Sequence, residues 1–327
     1  GIRDIGVTGV QTCALPIWAG SWVLSAAGLS DAHSLRRHGV GVALAAAGAV
    51  AFSGKAIIVK LAYRYQVDAV TLIMWRMLLA LPLFMLIAWW GGRGRKPMTG
   101  RDLRMVCALG FCGYYLSSFL DFLGLQYVSA SLERLILYLN PTLVLLLGWF
   151  MTGRPVKGKQ LWAMAVSYAG VLVVFGHEVQ WAGWSVLPGV GLIFMSAITY
   201  ALYLVFSGEE VKRLGPLRLT GWASAWASVF CILQFLILRP AASAWQVDTA
   251  VIELSVINAL ACTVLPIVLV MFAIERIGAA ASAQAGMVGP LSTVVLGVWI
   301  LNEPFNQWVV AGAALVLLGV WLLARTR

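Results

Sequence analysis

Apolar stretches of about twenty residues recur along the whole chain, near 39–60, 68–90, 103–125, 129–150, 158–176, 186–207, 217–238, 251–274, 279–301 and 306–324. A helix of that length, rising 1.5 Å per residue, crosses the roughly 30 Å hydrocarbon core of a bilayer. Only helices and closed barrels satisfy every backbone hydrogen bond in lipid, and unbroken apolar runs such as 143–147 contradict the alternation of a barrel strand. The expected fold is therefore an all-α polytopic membrane protein with ten transmembrane helices. Composition agrees, since 61% of residues are hydrophobic and 11% charged, against about 25% charged in soluble domains.

A net charge of +10 would suggest nucleic acid in a soluble protein, but in a membrane protein it reflects basic cytoplasmic loops. Placing the N-terminus inside puts 16 of the 23 Lys and Arg residues on one face, among them Arg93, Arg95, Lys96, Lys157, Lys212 and Arg213. The other face holds Lys60, Arg64 and Arg239. This bias predicts both termini in the cytoplasm of a bacterial-type inner membrane, a lipid bilayer as partner, and no nucleic-acid role. Trp89, Trp90, Trp181, Trp184, Trp245 and Trp308 fall near the expected helix ends, as an aromatic belt would. Cys107, Cys112, Cys231 and Cys262 lie inside apolar segments without metal-ligand spacing, so they read as small buried hydrophobes, with no metal and no cofactor expected. Residues 1–30 loosely resemble a secretory signal, although Pro16 interrupts the apolar run. Residues 7–17 more closely resemble the in-frame translation of a sequencing adaptor, so 1–17 is read as non-native and 18–38 as an uncertain leader.

The remaining chain carries an internal repeat. A shift of 149 residues places Asn140-Pro141 on Gly289-Pro290, Gly148 on Gly297, Gly153-Arg154-Pro155 on Asn302-Glu303-Pro304, and Gly170 on Gly319. The halves, 39–176 and 186–324, each hold five spans, an odd number, so the second enters the membrane from the opposite side. Inverted repeats of this kind are typical of secondary transporters, whose substrate site lies between the halves. The stretch 274–290, Ile-Glu-Arg-Ile-Gly-Ala-Ala-Ala-Ser-Ala-Gln-Ala-Gly-Met-Val-Gly-Pro, with Asn302-Glu303-Pro304, Gly312 and Gly319, resembles the second-half signature of the EamA family in the drug/metabolite transporter superfamily. Ser129 to Pro141 resembles the same signature in the first half. The resemblance implies a ten-helix transporter of two EamA repeats. The first half departs from it by carrying Arg154 where the second has Glu303, so both positions read as helix-end contacts rather than a symmetric pair.

Five charges fall inside expected spans: Lys55, Arg76, Asp121, Glu133 and Arg134. A charge at the helix centre costs roughly 2.5–3.5 kcal/mol on insertion scales, so these groups must be paired or near water. All map to the outer half of the first repeat, and a vestibule opening outward with a positive excess would suit an anionic or zwitterionic metabolite, with Arg76 as carboxylate partner. Helical spacing groups Tyr114, Ser118 and Asp121 on one helix face, Ser129, Glu133 and Asn140 on another, and Ser196, Thr199, Tyr200, Tyr203 and Ser207 on a third. The expected substrate-binding set is Arg76, Tyr114, Ser118, Asp121, Glu133, Asn140, Tyr200 and Tyr203. Asp121 and Glu133 are the candidate proton carriers, and Pro141 and Pro290, which free backbone carbonyls in mid-span, the candidate hinges.

The sequence has no phosphate-cradling loop and no intramembrane histidine, which argues against an ATP-driven pump or a metalloenzyme. Secondary transport of a small amino-acid-like metabolite by alternating access, with efflux favoured, is the leading reading, and a non-transporting membrane scaffold or sensor the alternative. A sensor would carry a soluble domain or long loop, and the longest connection between spans is about a dozen residues.

Overall fold

The computed structural model describes residues 31–153, 156–303 and 306–325. The adaptor-like string and most of the 18–38 leader lie outside them. Among the described residues every regular element is helical: α1 (Asp31–Tyr63), α2 (Ala69–Gly92), α3 (Gly100–Gly124), α4 (Ala130–Leu137), α5 (Asn140–Thr152), α6 (Gly158–Ala182), α7 (Leu187–Leu214) and α8 (Pro216–Leu238). There follow α9 (Thr249–Ala259, Leu260–Val264 and Leu265–Ala285 in succession), α10 (Val288–Leu301) and α11 (Gln307–Arg325). The end of the bundle holding residues 64–68, 125–129, 183–186, 239–248, 302–303 and 306 is called upper here, and the end holding 93–99, 153, 156–157 and 215 lower.

Counting by length and apolarity among the described residues gives eight spanning stretches rather than ten. One of them, Gly158–Gly208, has 51 residues and contains α6 and most of α7, joined by the 3-10 turn Gly183–Val186. α10, with 14 residues, falls short of spanning length. The expected break near 275–278 is not a loop: helical backbone continues from Leu265 to Ala285, because 279–285 consists of alanine, serine and glutamine with no proline or glycine to stop it. The chain nevertheless doubles back. Positions 54, 48 and 41 of α1 meet Cys262, Val270 and Ile277 in turn, and then Ser53 bonds to Gly289.

Side-chain caps encoded in the sequence start several helices. Asp68 accepts from the Val70 and Thr71 amides, Thr99 and Asp102 form a reciprocal box, and Ser129, Asp248 and Asn306 accept from the Leu132, Ala250 and Val309 amides. Backbone irregularities obey the repeat. A π turn occupies Phe111–Leu116 in α3 and Leu260–Val264 in α9, and the left-handed caps Gly153 (φ 66°) and Asn302 (φ 56°) also differ by 149 residues.

Large apolar side chains such as Phe150, Trp162, Ile237 and Trp299 cover the exterior, and the six tryptophans named above are also exposed, as a lipid-facing surface requires. Internally, Leu72, Ile73, Met77 and Phe84 of α2 belong to a core that includes Ala227 and Cys231 of α8. α6 and α11 cross closely through small residues. A β-carbon on Gly170 would lie 2.6 Å from the Gly312 carbonyl oxygen, and one on Gly319 2.6 Å from that of Ala163, two contacts related by the repeat. Gly170→Val is therefore expected to destabilise the protein by about 1–3 kcal/mol or more. Gly176→Val, on the same helix with open space beside it, should leave thermal unfolding in detergent nearly unchanged.

Candidate functional site

A cavity of about 460 Å³ lies between the halves, and Lys55, Arg76, Asp121 and Arg134 line it. Exposure is 7% for Lys55, 4% for Arg76, 1% for Asp121, 6% for Arg134 and 0% for Glu133, so none of the five charges reaches out to bulk water. They are reconciled with burial in two ways. Lys55 of α1 is the centre of a triad, its Nζ 2.5 Å from Asp121 Oδ2 on α3 and 3.4 Å from Glu133 Oε1 on α4. The first is a hydrogen-bonded ion pair and the second an ionic contact.

The two arginines are held differently. Arg76 Nη2 donates to Ser118 Oγ at 3.2 Å, and its guanidinium sits 4.8 Å from the Phe122 ring centre. Arg134 Nη2 donates to Ser53 Oγ at 3.3 Å, with the guanidinium 5.0 Å from the Phe52 ring centre. Among the described residues no carboxylate lies within ion-pair distance of either arginine, and neither Nε has a hydrogen-bond partner. Aromatic faces can stabilise a cation by about 2 kcal/mol when water is excluded, which offsets part of the burial cost but leaves N–H groups of both guanidiniums able to donate to an anion.

Away from the charges the wall turns aromatic. Tyr114 and Tyr203 share a 3.2 Å hydroxyl contact with ring centres 5.0 Å apart, and Tyr200 stacks on Tyr203. Ser117 and Ser196 tie α3 to α7 beside them, 3.1 Å apart.

Both prolines free the carbonyl four residues earlier, and the structure shows where each goes. Pro141 frees the Leu137 carbonyl, which accepts from Asn140 Nδ2 at 2.7 Å, within the same broken helix. Pro290 frees the Gly286 carbonyl, which accepts from the Gly289 amide of its own segment and from the Tyr138 hydroxyl of the other repeat, each at 2.9 Å. The next carbonyl at that break, Gly289, takes the Ser53 hydroxyl at 2.8 Å.

Of the expected binding residues, Arg76, Tyr114, Ser118, Asp121, Asn140, Tyr200 and Tyr203 all line this cavity. Glu133 is not among its lining residues, because it turns toward Lys55. The stripe of Ser129, Glu133 and Asn140 is split by the helix break after Leu137. Thr199 and Ser207 bond to carbonyls of their own helix. The outward vestibule is also corrected. Above the charges the bundle is closed by Lys60 on the Val128 carbonyl, Tyr63 on that of Phe122 and Arg64 on that of Leu301. The cavity instead extends toward Phe84, Thr220 and Tyr203, in the lower halves of α2, α8 and α7. Lining residues outside the expected binding set include Lys55, Arg134, Tyr138, Thr220 and Ser224. The last two lie four apart on α8 and were detectable as a helical polar pair.

Among the described residues no cluster of three or more His, Cys, Asp or Glu is placed to hold a metal ion. The geometry is that of a binding cavity: cations at one end, aromatic rings at the other, and helix breaks in its wall.

Comparison with known proteins identifies the fold. The chain is 32% identical over 288 residues to the uncharacterized transporter YcbK of Bacillus subtilis, covering 84% of this chain and 89% of the relative. It is 22% identical over 272 residues to an uncharacterized transporter of Archaeoglobus fulgidus, covering 83% and 92%. A crystal structure at 17% identity superposes with a TM-score of 0.54 over 89% of this chain and 97% of that one, a likeness of fold alone. The sequence model of the EamA-like transporter family matches residues 39–176 and 187–325, one match per half, and the chain belongs to that family of transporters rather than to a class of enzymes.

Proposed function

We propose that this protein is a secondary active transporter of a small anionic or zwitterionic, amino-acid-like metabolite, working by alternating access. The observation that carries the substrate class is the pair of buried guanidinium groups, Arg76 and Arg134, at the central cavity without a carboxylate of their own among the described residues. With Lys55, Asp121 and Glu133 included, the site keeps one net positive charge, which a carboxylate would neutralise. A volume of about 460 Å³ falls in the usual range for small-molecule pockets.

Ten crossings fit this reading. The 51-residue stretch supplies two of them, and α10, entered after the chain returns along α1 to Gly289, supplies the short one. The lower end carries the basic loops, so the positive-inside rule places it, with both termini, in the cytoplasm of a bacterial-type inner membrane. A cavity extending toward that end favours loading from the cytoplasm, hence efflux. Asp121 and Glu133, joined through Lys55, are the groups that would carry a coupling proton.

The test is reconstitution in proteoliposomes after a ligand screen by thermal shift. Amino acids and carboxylates should stabilise the protein, whereas amines and neutral sugars should not. Flux of the best ligand should follow an imposed pH gradient and lose that dependence in Asp121→Asn. Flux indifferent to the gradient removes proton coupling, and the absence of saturable flux for every stabilising ligand supports the scaffold instead.

A further inference from the structure

The upper end contains a second cavity, of about 510 Å³, whose lining includes Lys60, Arg64, Ser129, Ser131, Glu178 and Glu303. Its chemistry concentrates on the first turn of α4. Glu178 of α6 accepts from the Ser129 amide at 3.3 Å and from the Ser129 hydroxyl. Glu303, which follows α10 in the other repeat, accepts from the Ala130 amide at 2.7 Å and the Ser131 hydroxyl at 3.0 Å. The start of a helix leaves amides unpaired and attracts negative charge, and here two carboxylates from separate elements supply it.

Several local features aim Glu303 at this spot. Asn302 takes a left-handed conformation (φ 56°), the Glu303 amide donates to the Gly297 carbonyl at 3.1 Å, and Gly297 makes room: a β-carbon there would lie 2.8 Å from Glu303 Oε2. The first repeat carries Arg154 at the equivalent position, so the carboxylate is peculiar to the upper end.

α4 has only eight residues. Its first turn is held by Glu303 and Glu178, while Arg134 and Leu137, with Tyr138 just beyond its end, line the central cavity, and Glu133 contacts Lys55. It is a short lever with the upper closure at one end and the substrate wall at the other.

We infer that Glu303 is a positioning residue for the substrate cavity, acting through α4: its carboxylate holds the α4 N-terminus in the upper-closed arrangement, and upper opening requires that hold to be released. This rests on the alternating-access reading above. The test uses the full chain with its native cysteines replaced by serine and one cysteine introduced at Leu137. A membrane-impermeant maleimide is applied from either side of oriented vesicles. Glu303→Ala should raise the upper-to-lower ratio of labelling rates by at least about tenfold, the change in equilibrium that loss of a charge-assisted hydrogen bond brings. Gly297→Ala should do the same with Glu303 intact, because its methyl displaces the carboxylate, and the double variant should exceed neither single one by much. An unchanged ratio in folded Glu303→Ala overturns the assignment. If that variant does not fold, an unchanged ratio in Gly297→Ala does so instead. No substrate enters the measurement, so a shifted ratio without flux would count against the transporter reading alone.

Discussion

Replacing Lys55 with methionine is expected to destabilise the protein by about 3–5 kcal/mol, the usual cost of removing one partner from a buried ion pair. The loss is large because Lys55 is in ionic contact with two carboxylates at once, Asp121 and Glu133, which are 1% and 0% exposed. Without the ammonium they would face each other across a water-poor interior. The triple variant Lys55→Met, Asp121→Asn, Glu133→Gln should recover most of the loss, since it removes the charges together with their partner. Thermal or denaturant unfolding in detergent would show both effects. If Lys55→Met unfolds like the parent, the triad contributes no stability.

The second large effect concerns binding. Arg76→Gln and Arg134→Gln are each expected to weaken carboxylate ligands by about 10- to 100-fold, the worth of a charged hydrogen bond. The double variant should lose every anionic hit in the stabilisation screen. Empty protein should respond in the opposite sense. Because neither guanidinium has a carboxylate partner among the described residues, neutralising it relieves a burial cost, so the melting temperature without ligand should hold or rise. An unchanged ligand profile in the double variant would refute the anion assignment.

Much of this architecture was legible beforehand, for physical reasons. Lipid imposes helices, and the shift of 149 residues that aligned Pro141 with Pro290 also aligns π turns and left-handed caps that no pattern of side chains announced. Tyr114, Ser118 and Asp121 could be grouped because a regular helical period carries them to one face. That logic failed where the helix breaks: Glu133 and Asn140 look aligned in sequence, but the chain re-aims between α4 and α5. The part played by Lys55 was hidden because its partner Asp121 is 66 residues away. Glu178 and Glu303 lie beyond the expected spans, where a charge is not conspicuous, although the repeat marks Glu303 as a helix-end contact.

The two freed carbonyls join the halves of the molecule unequally. In the first half the break is self-contained, because Asn140 satisfies the Leu137 carbonyl from within its own segment. In the second half the Gly286 carbonyl accepts from the Gly289 amide of its own segment and, in addition, from the Tyr138 hydroxyl of the first half. A change of bend at Pro141 keeps the Asn140–Leu137 bond within one segment, whereas a change at Pro290 also acts on a bond to the other half. Of two breaks descended from one pattern, one is thus local and the other is also a tie between the halves.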